Sequence, residues 1–297
     1  MDFLELQRDS RVTTGNSGCL LCWPREVQSS IRVAKESWGF LSSDCRANRP
    51  HLGLCPEASV PLQGKVYVFV THSHVDHFDP IIFDWDQAKY HIKYIISDDL
   101  PEGIPGLRMK PGDELELEDL KVRAFDSTDL GVSFYIEVMG RTIFHAGDLN
   151  LWHWREESTV REIKQAEEDF YEAVDPIRDL NIDLCMFPLD PRQGGLFDAG
   201  INHFVMSVKP RVVIPMHWQQ RAEVPLNYAR RGRTRYTEIL ALTKPRERAD
   251  ITFGEDELQI HVHTPVTGLF EEKKESEPLE ERKDDPFTDT DLPVNVK

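Results

Sequence analysis

Cysteine, long apolar runs and basic residues are all scarce in this chain, and each shortage narrows its function. Only 5 of 297 residues are cysteine, an odd number. No disulfide framework is implied, and a reducing cytoplasm is the expected compartment. No apolar run reaches the ~18–20 residues that span a bilayer, so no membrane role is expected. The opening MDFLELQRDSRVTT carries acids and lacks an apolar core, unlike a secretory leader. Basic residues number 35 against 52 acidic ones, a net charge of −17. That balance works against broad phosphate neutralisation, so a nucleic-acid partner is not expected. No internal repeat is present. What remains is 40% hydrophobic and long enough to bury a sizeable core.

Composition divides the chain into three. Residues 1–60 hold seven acids, seven bases and four of the cysteines (Cys19, Cys22, Cys45 and Cys55), with no sustained period. Gly15-Asn16-Ser17-Gly18 reads as a turn, and Cys19–Trp23 as a short strand stopped by Pro24. Residues 61–268 form the expected core. Its strands are Lys65–Thr71, His91–Ser97, an alternating Glu114–Phe125, a Val132–Val138 and Thr142–His145 hairpin turning at Met139-Gly140, Ile182–Pro188, Val212–Pro215 and Leu258–His263. Asp79-Pro80 opens a short helix. A capping box at Thr159 and Glu162 starts an amphipathic helix over about 158–178. Further helices are expected at Ala199–Val208 and Thr234–Leu242. Residues 269–297 read as an acidic, disordered tail: 271–297 has ten acids, five bases and three prolines. The pattern predicts an α/β sandwich of mixed sheets, not a doubly wound parallel sheet.

The chemistry concentrates in His72-Ser73-His74-Val75-Asp76-His77. Three of eleven histidines fall in these six residues, between an expected strand and an expected helix. Imidazole and carboxylate together suit zinc, iron or manganese. His72 and His74, two apart on an extended segment, can point the same way. Asp76 and His77 then enter the next turn and can face a second metal, as in two-metal hydrolases. Packing alone does not ask for four ligand-type side chains in six residues.

Thr71–His77 resembles the signature of the metallo-β-lactamase-fold hydrolases. Ile143-Phe144-His145-Ala146-Gly147-Asp148 is similar to the segment whose aspartate bridges two metals. Pro215-Met216-His217 is similar to the late strand end whose histidine completes the second site. The resemblance covers about residues 60–265. It lies nearest the uncharacterised cytosolic bacterial branch, similar to the ascorbate-phosphate lactonase group. It implies a four-layer αββα sandwich and two divalent ions, Zn²⁺ first, with Mn²⁺ or Fe²⁺ as alternatives. His72 and His74 would hold one metal, and Asp76, His77 and His217 the other. Asp148 would bridge them, and Asp76 and Asp148 would serve the reaction.

The sequence departs from that pattern in two places. The family's further metal-one histidine, roughly 20 residues before the bridging aspartate, is replaced by Phe125-Asp126-Ser127-Thr128-Asp129-Leu130-Gly131. Asp129 or Asp126 could substitute as an oxygen ligand, which favours a harder metal, or both could be turn residues; Asp129 is the better placed, because Gly131-Val132 begins the next strand. The family's first half-sheet has only a faint echo at Gly15–Trp23. His145 could support Asp148 or touch substrate, or simply be packed. Arg192 could grip an anionic substrate group or sit in a surface turn. Trp152-His153-Trp154 could wall the pocket or belong to the core. Cys185 reads as core, the N-terminal cysteines as a poor fit to a structural zinc site. His51, His203, His261 and His263 read as incidental.

The expected function is hydrolysis of a small phosphate ester, phosphodiester or lactone by metal-activated water. A nuclease of the same fold and a non-catalytic metal-binding protein are the alternatives. The expected partner is a small-molecule substrate, and oligomeric state is not legible.

Overall fold

In the computed structural model the described residues are 18–23, 29–33, 38–42, 64–84, 92–118, 120–154, 156–244, 247–254 and 258–263. The expected turn at residues 15–18 lies largely outside them, as do His51, Cys45, Cys55 and the acidic tail.

Two mixed sheets form the body. The first has eight strands in the order β15-β14-β3-β2-β1-β4-β5-β6. These are β1 (Gly18–Trp23), β2 (Ser29–Val33), β3 (Trp38–Ser42), β4 (Gly64–Val70), β5 (Ile92–Ser97), β6 (Leu107–Met109), β14 (Arg248–Phe253) and β15 (Leu258–His263). The second has seven in the order β13-β12-β11-β10-β9-β8-β7. These are β7 (Glu114–Glu116), β8 (Leu120–Phe125), β9 (Ser133–Val138), β10 (Arg141–His145), β11 (Leu184–Pro188), β12 (Val212–Met216) and β13 (Glu238–Ile239).

Alternation along the strands stacks the sheets. In β4, Tyr67 and Phe69 face the core between the sheets, whereas Val68 and Val70 face a smaller outer cluster with Ile82, Tyr94 and Ile96. Phe69 meets Phe134 of β9 edge-on across the gap, ring centroids 5.4 Å apart. Buried on both faces, β4 is the unbroken β-branched and aromatic run of its sequence. Among the described residues, three helices accompany the second sheet: α1 (Val160–Val174), α2 (Ala199–Ser207) and α3 (Glu223–Arg231). Phe204 of α2 packs on Phe144 of β10 and Phe187 of β11. The α/β sandwich of mixed sheets expected from the sequence is the observed architecture. On the outer side of the first sheet, Ile82 of the 3-10 turn Pro80–Asp84 joins the smaller cluster.

Local signals account for several boundaries. The Thr159 hydroxyl accepts from the Glu162 backbone N–H and the Glu162 carboxylate accepts from that of Thr159, completing the capping box. Such a cap is worth about 1 kcal/mol. Met139 and Gly140 both take positive φ, 50° and 76°, as a tight hairpin turn requires.

Two expectations are corrected. Glu114–Phe125 is a hairpin, β7 against β8, because Leu117 N–H closes onto Leu120 O at 2.8 Å. Thr234–Leu242 is not a helix. The Thr234 hydroxyl accepts from the backbone N–H groups of Tyr236 and Thr237, which makes a turn, and β13 then pairs with β12. The helix of this region is α3, whose Pro225 falls in the first turn, where its missing N–H costs nothing. Residues 1–60 supply three strands, with β1 parallel to β4 and antiparallel to β2.

Candidate metal centre

Four strand ends deliver the functional side chains. β4 runs into His72, β10 into the turn before Asp148, β11 into Asp190 and β12 into His217. β10, β11 and β12 are mutually parallel, so their carboxyl ends share one edge, the usual place for ligands on such a sheet. After β4 the chain curls: His74 O accepts from the N–H groups of His77 and Phe78 at 2.9 and 2.8 Å. Ser73 N–H is held by Asp99 Oδ2 at 2.9 Å. Gly131 makes room for this curl. It takes φ +73°, and a Cβ there would stand 2.1 Å from Thr71 O and 2.6 Å from His72 Cβ. No other residue fits such an approach.

The six residues of the resemblance, with Asp129, converge in two groups. The first comprises His72, His74, Asp129 and Asp148, and the second Asp76, His77 and His217; within each, the donor atoms lie within 4.8 Å of one another. Asp148 faces both. Its Oδ2 is 3.7 Å from His72 Nε2, while its Oδ1 is 3.4 Å from His77 Nε2 and 3.6 Å from His217 Nε2. Asp76 Oδ2 lies 3.7 Å from His77 Nε2 and 3.8 Å from His217 Nε2. His74 Nδ1 is 3.6 Å from Asp129 Oδ2. Of the two aspartates open from the sequence, Asp129 is the one in the group. Asp126 Oδ1 instead accepts from the Ser127 N–H within its own turn.

Asp190 is the residue that the sequence did not single out. Completely buried, it sits where β11 ends beside β12, and its Oδ2 lies 2.9 Å from His217 Nδ1. Its other contact is Arg192, whose Nε reaches Oδ1 at 3.0 Å and whose Nη2 reaches Oδ2 at 2.5 Å. Burial alone would raise the Asp190 carboxyl, but hydrogen bonds from His217 and Arg192 outweigh it and bring it down to about 2. Burial pulls His217 down, yet its bond to Asp190 and the charges of Asp148 and Asp190 leave it raised. An ionised Asp190 fixes the tautomer in which Nδ1 donates and Nε2 carries the lone pair. Only the pairing of β11 with β12, a long-range event, brings these residues together. His217 also holds φ +61°, and Gln219 and Gln220 follow at +52° and +61°. Left-handed backbone at non-glycine residues is costly and gathers at functional sites.

The remaining candidates separate clearly. His145 is fully buried, its Nδ1 accepts from the Gly147 N–H at 3.1 Å, and it belongs to neither donor group. It braces the turn that presents Asp148. Trp152 lies edge-on to His217, centroids 6.0 Å apart, and donates from Nε1 to Asp148 O at 3.0 Å. Trp154 stacks on Trp152. His153 turns away to Glu167 of α1. Cys185 is fully buried and burial pushes its thiol well up, so it is inert. His203 packs between Phe170 and Tyr171, and His263 pairs with Asp250.

The donor set fits a divalent metal. His217 Nε2 is buried with no hydrogen-bond partner among the described residues, yet it points between two carboxylates. A buried lone pair is not left so without a donor or an ion to meet it. The groups offer imidazole and carboxylate and no thiolate, which suits Zn²⁺, Mn²⁺ or Fe²⁺.

The chain is similar to several known proteins. No protein-family model matches the chain. A UPF0173 metal-dependent hydrolase of Natranaerobius thermophilus is 26% identical over 172 residues, 54% of this chain and 68% of the relative. One of Nanoarchaeum equitans is 24% identical over 220 residues, 67% and 88% of the two chains. A UPF0173 protein of Pyrococcus furiosus is 26% identical over 182 residues, 57% and 74%. Among solved structures, the metallo-β-lactamase fold protein YhfI from Bacillus subtilis is 12% identical, covering 80% of this chain and 96% of its own, with a TM-score of 0.43. Two of the curated relatives carry the name metal-dependent hydrolase, in line with the hydrolase resemblance drawn from three short motifs. No described helix is long and apolar enough to cross a membrane.

Proposed function

We propose that this chain is a metal-dependent hydrolase that uses two divalent ions. One would be held by His72, His74, Asp129 and Asp148, the other by Asp76, His77 and His217, with Asp148 shared. The observation that carries this reading is the division of the Asp148 carboxylate, one oxygen toward each group. Ions bound there would supply Lewis acidity and lower the pKa of water, the requirement of a two-metal hydrolase.

The chain's own residues have distinct tasks. Asp148, nearly buried, fixes the spacing of the two groups. Asp76 is the most exposed donor, with a side chain 62% accessible, so its carboxylate can accept a proton-donating contact from the attacking water. Trp152 lines the side next to His217 and limits bulk water there. No side-chain nucleophile is needed. The substrates that suit the centre are small phosphate esters, phosphodiesters and lactones, with Zn²⁺ the first metal to test.

Elemental analysis of purified protein, with a screen of phosphate monoesters, diesters and lactones, tests the proposal. About two ions per chain, with hydrolysis abolished by a chelator and restored by metal, is the expected result. Asp148→Ala should lose most of both ions. Loss of only one would remove the bridging role, and a chain that binds no metal would overturn the reading.

A further inference from the structure

The structure assigns to Arg192 the recognition of a second anionic group on the substrate, carboxylate or phosphate, set apart from the scissile bond. The inference rests on the metal-centre reading and narrows its substrate class.

Arg192 leaves the end of β11 on the edge that carries the donor groups. Asp190, fully buried, holds it by Nε and Nη2, while the Arg192 side chain stays 53% exposed. A guanidinium has five N–H groups. The Nε edge is committed to Asp190, and the Nη1 and outer Nη2 groups meet no partner among the described residues. Those groups form a second flat edge matched to a carboxylate or phosphate. The clamp removes most of the freedom that an arginine otherwise loses on binding, so the edge is preorganised.

Distance says which part of the substrate it meets. Arg192 touches the Asp190 oxygen on the Nδ1 side of His217, whereas the donor groups lie on the Nε2 side. The guanidinium is thus one imidazole ring removed from the reacting centre. Its bond to Asp190 is what chiefly holds it protonated, and it is still close enough that the charges of Asp76 and Asp148 add to this. Charge balance agrees. Asp76, Asp129 and Asp148 do not fully offset two divalent ions, and Asp190 cancels Arg192. An anion approaching this edge therefore meets no net repulsion.

Binding of two phosphonates to the metal-loaded protein, measured by calorimetry, tests this. Ethylphosphonate offers a metal-binding head alone, and 3-phosphonopropionate adds a distal carboxylate. The wild-type chain should bind 3-phosphonopropionate about tenfold more tightly, the scale of a charge-assisted pair. Arg192→Ala should erase that preference and leave ethylphosphonate affinity and metal content unchanged. Arg192→Lys, which keeps charge but not the fork, should retain a preference of about threefold and carries the test if the alanine variant loses metal. Equal binding of both probes to the wild type, or equal weakening of both by Arg192→Ala, would show that Arg192 only braces Asp190 and would overturn the proposal alone. A chain that takes up no metal would overturn the metal-centre reading and this inference with it, and a metal-loaded chain that binds neither phosphonate would overturn this inference alone.

Discussion

The two donor groups share Asp148 but are built to different standards. In the second, Asp76 is open to solvent, but His77 is almost fully buried, and His217 is nearly so and braced from behind by Asp190. In the first, His72 is buried, but the side chains of His74 and Asp129 are 43% and 36% exposed. Asp129 sits in a turn held by short contacts, its N–H on Ser127 Oγ at 3.3 Å and Thr128 Oγ1 on Asn150 O at 2.6 Å. The second group's histidines are held in place by the end of β12 and the hydrogen-bonded curl after β4, and the first group is completed by a surface turn. A preorganised group spends less of its binding energy on ordering itself, so the second group is the expected tighter site.

The largest effect that would break this contrast is at the weaker group. Asp129→Ala should remove one ion and spare the other, read as metal content falling by about half. Asp129→His should shift preference from manganese toward zinc. Full metal content in Asp129→Ala would dismiss the turn as a ligand source and leave His72, His74 and Asp148 as a three-ligand group. Next comes the brace. Asp190→Asn should lower affinity at the second group by about 10–100-fold, the usual range for a carboxylate behind a metal-bound histidine. Chelator competition would measure it. An equal loss at both groups would erase the distinction.

The smallest effect is on stability. Asp190 ionises near 2 in the folded chain, below its ordinary value of about 4. Its ionised form therefore stabilises the fold above about pH 4, and the contribution fades as pH falls through 2. The shift corresponds to about 2 kcal/mol. Acid unfolding of metal-free protein should be shallower in Asp190→Asn by about that amount. An unchanged acid limb would mean that the carboxylate is less tightly held than its geometry implies.

What could be read from the sequence follows from how far apart the cooperating residues lie. Thr71–His77 was legible because one strand and one turn carry it whole, and Thr159 with Glu162 because a cap is local. Asp148 and His217 became visible through their own strand ends. Asp190 did not, since its meaning depends on β11 lying beside β12. Asp129 is favoured over Asp126 by its place at the entry to the next strand, but spacing alone cannot say that its carboxylate reaches His74. The misreading at Thr234–Leu242 has the same cause. A hydroxyl that captures two backbone N–H groups and a free sheet edge prevailed over local helical appearance. β2 and β3, rich in serine and glycine, owe their existence to neighbours in register.

The left-handed turn at His217, Gln219 and Gln220 has a temporal consequence. Each such residue carries strain of about 1 kcal/mol or more, so the turn persists only while its anchors hold. Those anchors are the His217 bond to Asp190 and the closing contact from Arg221 N–H to Trp218 O at 3.0 Å. When they yield, the turn unwinds toward ordinary backbone and carries the imidazole away from Asp148. Were an ion held by His217, its dwell time would be set by the opening rate of this turn, a quantity that hydrogen exchange at residues 217–221 can time.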